Sequence, residues 1–252
     1  LGSGNNDILA GDDFANVIEG GGGNDIIDGA GNVDGLDLAS YQGAGSGVAV
    51  DLNQTGSQDT LGAGRDILLN IEGVVGSGYN DSLVGDASGN YLDGGAGDDL
   101  LDGGAGDDIL HAESGHDTVL AGSGDDTIHL SADAGQQPVA VDGGSEVSTG
   151  DTVVLHDLAV SYDLSSLAAV AADVERLDIS GDGTSTSLTL SCQDIHDLVG
   201  DGNMSELTVL ADSGDSLVLD SGSLAPGFSP GATQDYSVTD GAQTAIVHWI
   251  IA

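Results

Sequence analysis

Gly94–His111 reads GGAGDDLLDGGAGDDILH, two copies of one nonapeptide set end to end. Each copy has the form G-G-x-G-x-D-x-U-x, with U a large aliphatic residue, and a repeat of this length marks a solenoid. Counting outward in nines extends the array from Gly76 to His129 as GSGYNDSLV, GDASGNYLD, GGAGDDLLD, GGAGDDILH, AESGHDTVL and AGSGDDTIH. Another array runs from Gly2 to Asp37 as GSGNNDILA, GDDFANVIE, GGGGNDIID and GAGNVDGLD. The sixth place of these units holds Asp7, Asn16, Asp25, Asp34, Asp81, Asn90, Asp99, Asp108, Asp117 and Asp126. The eighth holds Leu9, Ile18, Ile27, Leu36, Leu83, Leu92, Leu101, Leu110, Val119 and Ile128, aliphatic in every unit, which composition alone does not produce.

Each unit is therefore a turn followed by a short strand with one inward apolar side chain. Glycines at places one, two and four admit positive φ and close backbone approach. One nonamer cannot bury its aliphatic residue alone. Two make a coil with a turn on each side, and stacked coils bury a ladder of aliphatic residues. Strands of adjacent coils then pair in parallel about 4.8 Å apart, so equivalent turns of successive coils lie one above another. Their carboxylates and carbonyls face each other across the gap.

Charge sharpens this reading. The 252 residues carry 43 acids against two bases, Arg65 and Arg176, for a formal net charge of −41. Nucleic acid and anionic lipid attract Lys and Arg, so binding to either is not expected. The acids sit in register rather than in blocks, which argues against disorder. Carboxylates about 5 Å apart at an effective dielectric near 20 repel by roughly 3 kcal/mol a pair. Hard oxygen ligands in a flexible arrangement suit calcium; magnesium keeps its waters and zinc wants nitrogen or sulfur. The alternative is a metal-free solenoid with acidic turns.

These nonapeptides resemble those of the RTX (repeats-in-toxin) proteins. The resemblance implies an all-β fold, a calcium-binding parallel β-roll with a β-rich C-terminal cap. It also implies ions between stacked turns, held by the sixth-place side chains and by backbone carbonyls. Carried over, the pairs are Asp7 with Asp25, Asp81 with Asp99, Asp99 with Asp117, and Asp108 with Asp126. The implied carbonyl donors are Gly20, Gly22, Gly94, Gly95, Ala96, Gly97, Gly103, Gly104, Ala105 and Gly106. Asn16 with Asp34 and Asn90 with Asp108 replace one carboxylate by an amide, so those sites are expected to be weaker. Asp98, Asp107 and Asp125, at the fifth place, are expected to face solvent. About six or more calcium ions are expected along the two arrays.

Residues 1–37 and 76–129 form the two arrays. Residues 38–75 bridge them with strands expected at Leu38–Tyr41, Val48–Leu52 and Asp66–Val75, and this stretch also resembles RTX proteins. Asp66 and Glu72 are read there as surface residues, with a ligand role as the alternative. Residues 130–252 are read as a β-rich capping domain, because an open solenoid edge invites stacking with other chains. Gly143-Gly144 and Gly150-Asp151-Thr152-Val153 read as one expanded repeat. Ser191–Val199 reads as a short helix, and AIVHWIIA as a final strand rather than a secretion signal.

Motifs for catalysis are missing: there is no G-x-S-x-G elbow and no H-E-x-x-H helix. His111, His116 and His129 read as residues of a solvated face, and Cys192, the one cysteine, as core. No stretch reaches the roughly 20 apolar residues of a membrane helix, and the chain, starting inside a repeat, reads as a fragment of a longer protein. The expected function is a non-catalytic, calcium-dependent folding module of an extracellular or surface-borne bacterial adhesin. Its implied partners are calcium ions, the type I secretion machinery and, through other parts of the parent protein, a host or environmental surface. The alternative is a module of a secreted protease, lipase or alginate epimerase whose catalytic domain lies elsewhere.

Overall fold

The computed structural model describes residues 1–31, 35–112, 114–131, 140–145, 150–156, 161–163, 165–168, 171–180, 186–199, 205–213, 215–219, 233–240 and 243–251. Asp34 lies outside them. The first array contributes strands β1 (Ile8–Ala10), β2 (Val17–Ile18) and β3 (Ile26–Asp28). The bridge contributes β4 (Leu38–Ser40), β5 (Ala49–Asp51), β6 (Gln58–Asp59), β7 (Arg65–Leu69) and β8 (Gly73–Val75). In the second array lie β9 (Ser82–Val84), β10 (Tyr91–Asp93), β11 (Leu100–Ala105), β12 (Ile109–Ala112), β13 (Thr118–Ser123) and β14 (Thr127–Ser131). Beyond it come β15 (Ala140–Ser145), β16 (Thr152–His156), β17 (Ser161–Asp163), helix α1 (Ser165–Ala168), β18 (Ala171–Ala172) and β19 (Arg176–Asp178). The last are β20 (Ser187–Leu190), α2 (Cys192–Val199), β21 (Ser205–Ala211), β22 (Ser216–Leu219), β23 (Thr233–Asp240) and β24 (Gln243–Ile251).

The chain folds as an all-β parallel roll. Leu100 pairs with Thr118 and Ile109 with Thr127, so one coil is 18 residues, two nonapeptides. Odd and even units feed opposite sheets, because each turn reverses the chain. One of these sheets has eleven strands, in the order β2-β4-β8-β10-β12-β14-β16-β19-β21-β24-β23. It crosses the bridge and runs on past the second array. Its inward ladder is Ile18, Ala39, Val74, Leu92, Leu110, Ile128, Val153, Leu177, Val209 and Trp249, in register from one end to the other. All ten are buried. The facing sheet is divided: β1-β3-β7-β6 covers the first array, β18-β15-β13-β11-β9-β5 the second, and β17-β20-β22 the C-terminal part.

The strands expected in the bridge form as β4, β5, β7 and β8; of the later ones, β16, β19, β21, β24 and β23 extend the eleven-stranded sheet, and β20 and β22 form part of the separate C-terminal sheet. Val153 continues the ladder of Ile128, as an expanded repeat requires. α2 starts where a capping residue stands: Ser191 Oγ accepts the Asp194 N–H at 3.2 Å and Asp194 Oδ2 accepts the Ser191 N–H at 2.6 Å. AIVHWII, the part of that stretch within the described residues, lies in β24, which pairs in parallel with β21 and antiparallel with β23.

The fourth nonapeptide does not keep its register. Leu36 is 37% exposed, and the inward place belongs to Ala39, fully buried. The unit from Gly29 is longer by three residues, so Asp37 rather than Asp34 stands opposite Asn16.

Candidate metal centre

The sixth-place side chains form two ladders, one along each wall of turns. On one wall the Asp81 N–H donates to Asp99 Oδ1 at 2.8 Å, and the Asp99 N–H to Asp117 Oδ1 at 2.9 Å. On the other, Asn90 donates to Asp108 at 2.7 Å, Asp108 to Asp126 at 2.8 Å, and Asp126 to Asp151 at 2.7 Å. The first array repeats the arrangement from Asp7 to Asp25 at 2.8 Å and from Asp25 to Asp66 at 2.9 Å. One carboxylate oxygen of each residue thus satisfies a backbone amide of the preceding coil. The expected sixth-place pairs are brought together, but through amide-to-carboxylate bonds rather than with both carboxylates turned to one point.

The second oxygen turns back over its own glycine turn. Asp81 Oδ2 accepts the Ser77 N–H at 2.5 Å and Asp7 Oδ2 that of Ser3 at 2.7 Å. Oδ2 of Asp25, Asp37, Asp108 and Asp126 is buried and accepts no hydrogen bond. The glycine at place one makes room for it. A Cβ drawn on Gly103 would stand 2.5 Å from Asp108 Oδ2 and would also overlap the Ala121 carbonyl oxygen of the next coil. On Gly76 it would meet Asp81 Oδ2 and, at 2.7 Å, the Gly94 carbonyl. On Gly2 it would meet Asp7 Oδ2 at 3.0 Å and the Gly20 carbonyl. The carboxylate of one turn and a carbonyl of the turn above converge beside the same glycine. At place two, Gly95 and Gly104 have φ of 83° and 96°, which lets these turns close.

A buried carboxylate oxygen without a partner is costly. Burial pushes Asp99 and Asp108 up to about 7, outweighing the amide bonds from Asp81 and Asn90 that favour the charged form; neighbouring carboxylates push further in the same direction. Asp25, Asp117 and Asp126 are raised as well, with burial as the first cause. Neither arginine relieves this. Arg65 pairs with exposed Asp59 at 3.8 Å, and Arg176 lies in the outer row of β19. Among the described residues no three His, Cys, Asp or Glu side chains converge. What gathers at each turn is carboxylate and carbonyl oxygen, the donor set of a calcium ion. Asp25, Asp81, Asp99, Asp108, Asp117 and Asp126, with carbonyls such as those of Gly20, Gly94, Gly103 and Ala121, fit such an ion.

Several acids enter the ladders that the nonapeptide register does not mark. Asp37 Oδ1 takes the Asn16 N–H at 2.8 Å, the place assigned to Asp34. Asp66 and Glu72 are not surface residues in role. Asp66 is 1% exposed and also accepts the Thr60 hydroxyl at 2.8 Å. Glu72 Oε2 takes the Asp37 N–H at 3.0 Å, and Glu175 Oε2 takes that of Asp151 at 2.9 Å. At both glutamates two successive N–H groups share one carbonyl, Glu72 and Gly73 on Asp37, Glu175 and Arg176 on Asp151. That step sets the backbone back, and the extra methylene of Glu restores the reach. The signal was an aliphatic-Glu pair, Ile71-Glu72 and Val174-Glu175, at the start of a strand outside the arrays. Asp215 repeats the device, taking the Thr186 N–H at 2.8 Å.

Asn90 has a local reason. Its Nδ2 donates to the Glu72 carbonyl at 3.1 Å, a contact that an aspartate could not make. Asp98 and Asp107 face solvent, yet each accepts an amide from the next coil, His116 and Asp125, both at 3.0 Å.

A family model described as RTX calcium-binding nonapeptide repeat (4 copies) matches residues 1–36, 75–110 and 102–136. No curated protein matches the chain.

Proposed function

We propose, from the premise that this chain carries RTX calcium-binding nonapeptide repeats over 1–36 and 75–136, that it is a non-catalytic module whose arrays fold only when calcium fills their turns. RTX repeats bind calcium and mark proteins exported by type I secretion. The observation that carries the folding proposal is the set of buried sixth-place carboxylates with no Lys or Arg side chain beside them among the described residues. Without metal, each coil stacks like charges and leaves carboxylate oxygens unsatisfied. With metal, each occupied site adds RT ln(1 + [L]/Kd), about 2.7 kcal/mol at a hundredfold excess, and metal binding becomes folding free energy. A cytosol poor in calcium then keeps the chain unfolded for export, and external calcium folds it.

Within that reading the parent is a surface adhesin, and this module is a part of it that folds outside the cell. Support comes from residues 174–198, VERLDISGDGTSTSLTLSCQDIHDL, which resemble the β-rich region near the C-terminus of large RTX adhesins. Far-UV circular dichroism tests the folding step. The chelated chain is expected to lose most of its array β signal and to regain it cooperatively on calcium addition. A spectrum indifferent to chelation rejects coupled folding.

A further inference from the structure

On the outer face of the eleven-stranded sheet, away from the glycine turns, three imidazoles form a row. His111 and His129 occupy the ninth place of successive coils and are direct cross-strand partners. Their rings stack with centroids 4.1 Å apart and planes within 10°. His156 is offset along the next strand, where it pairs with Ser131. Its ring lies 5.2 Å from that of His129, tilted by only 7°, and His129 Nδ1 is 2.9 Å from His156 Nε2. Tyr91 covers the other end of the row, 5.1 Å from His111.

We propose that His129 and His156 form a two-imidazole site for a borderline divalent transition metal of octahedral or tetragonal preference, Ni2+ or Cu2+, separate from the calcium turns. Imidazole is the donor such metals choose, whereas calcium takes oxygen. Two donors on one ion must also stand close together. Two donors about 2.1 Å from one ion stand about 3.0 Å apart at a right angle and about 3.4 Å apart at a tetrahedral angle. The observed 2.9 Å is the hydrogen bond of the metal-free pair, one ring N–H donating to the other ring, and it brings both donors within reach of one ion. A tautomer shift and an outward turn of both rings aim the two lone pairs at a common ion. Stacking on His111 holds the His129 ring on the side facing His156. The chain's net charge of −41 concentrates divalent cations around it, and water completes the coordination.

The test is calorimetric titration of NiCl2 into the full chain saturated with calcium, so that the glycine turns are already filled. Wild type and His116→Gln, which removes an exposed imidazole beside Asp98, are expected to show one nitrogen-type site per chain. In His129→Gln and His156→Gln that site is expected to weaken by at least about tenfold. Calcium-loaded circular dichroism checks that both variants fold. Equal nickel binding in all four proteins overturns the proposal, as does a loss in His116→Gln alone. Should either variant misfold, anomalous diffraction at the nickel edge from the wild-type protein decides: a peak between His129 and His156 supports the site, and a peak only elsewhere rejects it.

Discussion

The coils of residues 76–129 and the strands after residue 140 belong to the same sheet, yet they are held by different forces. Inward from the arrays comes one large aliphatic per nonapeptide, Leu83, Leu92, Leu101, Leu110, Val119 and Ile128, joined in the last two units only by Ala112 and Ala121. After residue 140 the same ladder passes through Val153, Leu177 and Val209 to Trp249. There it gains a second apolar layer from α1, α2, β20 and β22: Leu167, Ile195, Leu198, Leu188, Leu190 and Leu217, none more than 1% exposed. Apolar burial contributes about 25 cal/mol per Å², so the later region has the larger hydrophobic share. The arrays instead bury Asp81, Asp99, Asp108, Asp117 and Asp126. On the folding proposal, a sheet can therefore continue across a boundary where its source of stability changes from bound cation to packed core.

Calcium removal gives the sharpest break between the two. Hydrogen exchange in chelator is expected to show β9–β14 amides exchanging as in an unfolded chain, while β19, β21 and β24 keep measurable protection. Uniform loss along the chain would mean that the C-terminal end has no stability of its own. Core truncation reads the same contrast from the other side. In chelator, Trp249→Ala is expected to cost the C-terminal region about 3–5 kcal/mol and abolish its protection, and Leu110→Ala to leave it unchanged. With calcium present, Leu110→Ala is expected to cost about 2–5 kcal/mol.

Acidity separates the regions more gently. Asp99 and Asp108 are held up to about 7 by burial, against about 4 in an unfolded chain. The folded, metal-free array therefore binds more protons than the unfolded one between about pH 4 and 7. Their contribution to its stability is fully present below about 4 and is lost as pH rises through about 7. In chelator, part of the array β signal in circular dichroism is therefore expected to return as pH falls from about 7 to 4. Calcium works in the opposite direction, since protons compete for the same oxygens. A β signal in chelator that instead grows as pH rises would mean that these carboxylates are not desolvated.

The roll was legible in the sequence wherever the turn kept six residues. Period alone placed Leu83, Leu101 and Val119 inside and the sixth-place acids in line, because nine residues always return the chain to the same wall. It failed at Gly29–Asp37, where three additional residues move the ladder place to Asp37 and leave Leu36 exposed. A fixed count carries no information about the length of an individual turn. Glu175 and Asp215 escaped, and Asp66 and Glu72 stood only as an alternative, for a related reason. Their role depends on which amide of the preceding coil lies opposite, 41 residues away for Asp25 and Asp66, and no local motif records that distance. The histidine row was half visible. His111 and His129 share the ninth place of successive coils, but His156 joins them only through the expanded repeat that follows.

Asn90 tests the smallest difference, the one at the junction of bridge and second array. Read as a ligand position, its amide weakens a calcium site, and Asn90→Asp would strengthen it. The geometry argues the reverse. Nδ2 donates to the Glu72 carbonyl at 3.1 Å, while Oδ1 takes the Asp86 N–H at 2.6 Å. A carboxylate keeps the second bond and turns its other oxygen on a carbonyl, beside an already acidic ladder. Leaving a buried acceptor unsatisfied costs about 1–3 kcal/mol, so Asn90→Asp is expected to lower stability by that much in calcium. Asn16 heads its ladder, and its Nδ2 donates only to Asp12 within the same exposed turn, at 3.3 Å. Asn16→Asp is accordingly expected to stay within about 0.5 kcal/mol of wild type, as surface substitutions do. Calcium-loaded urea unfolding of both variants decides, and a more stable Asn90→Asp protein would return the residue to the role of a weak ligand.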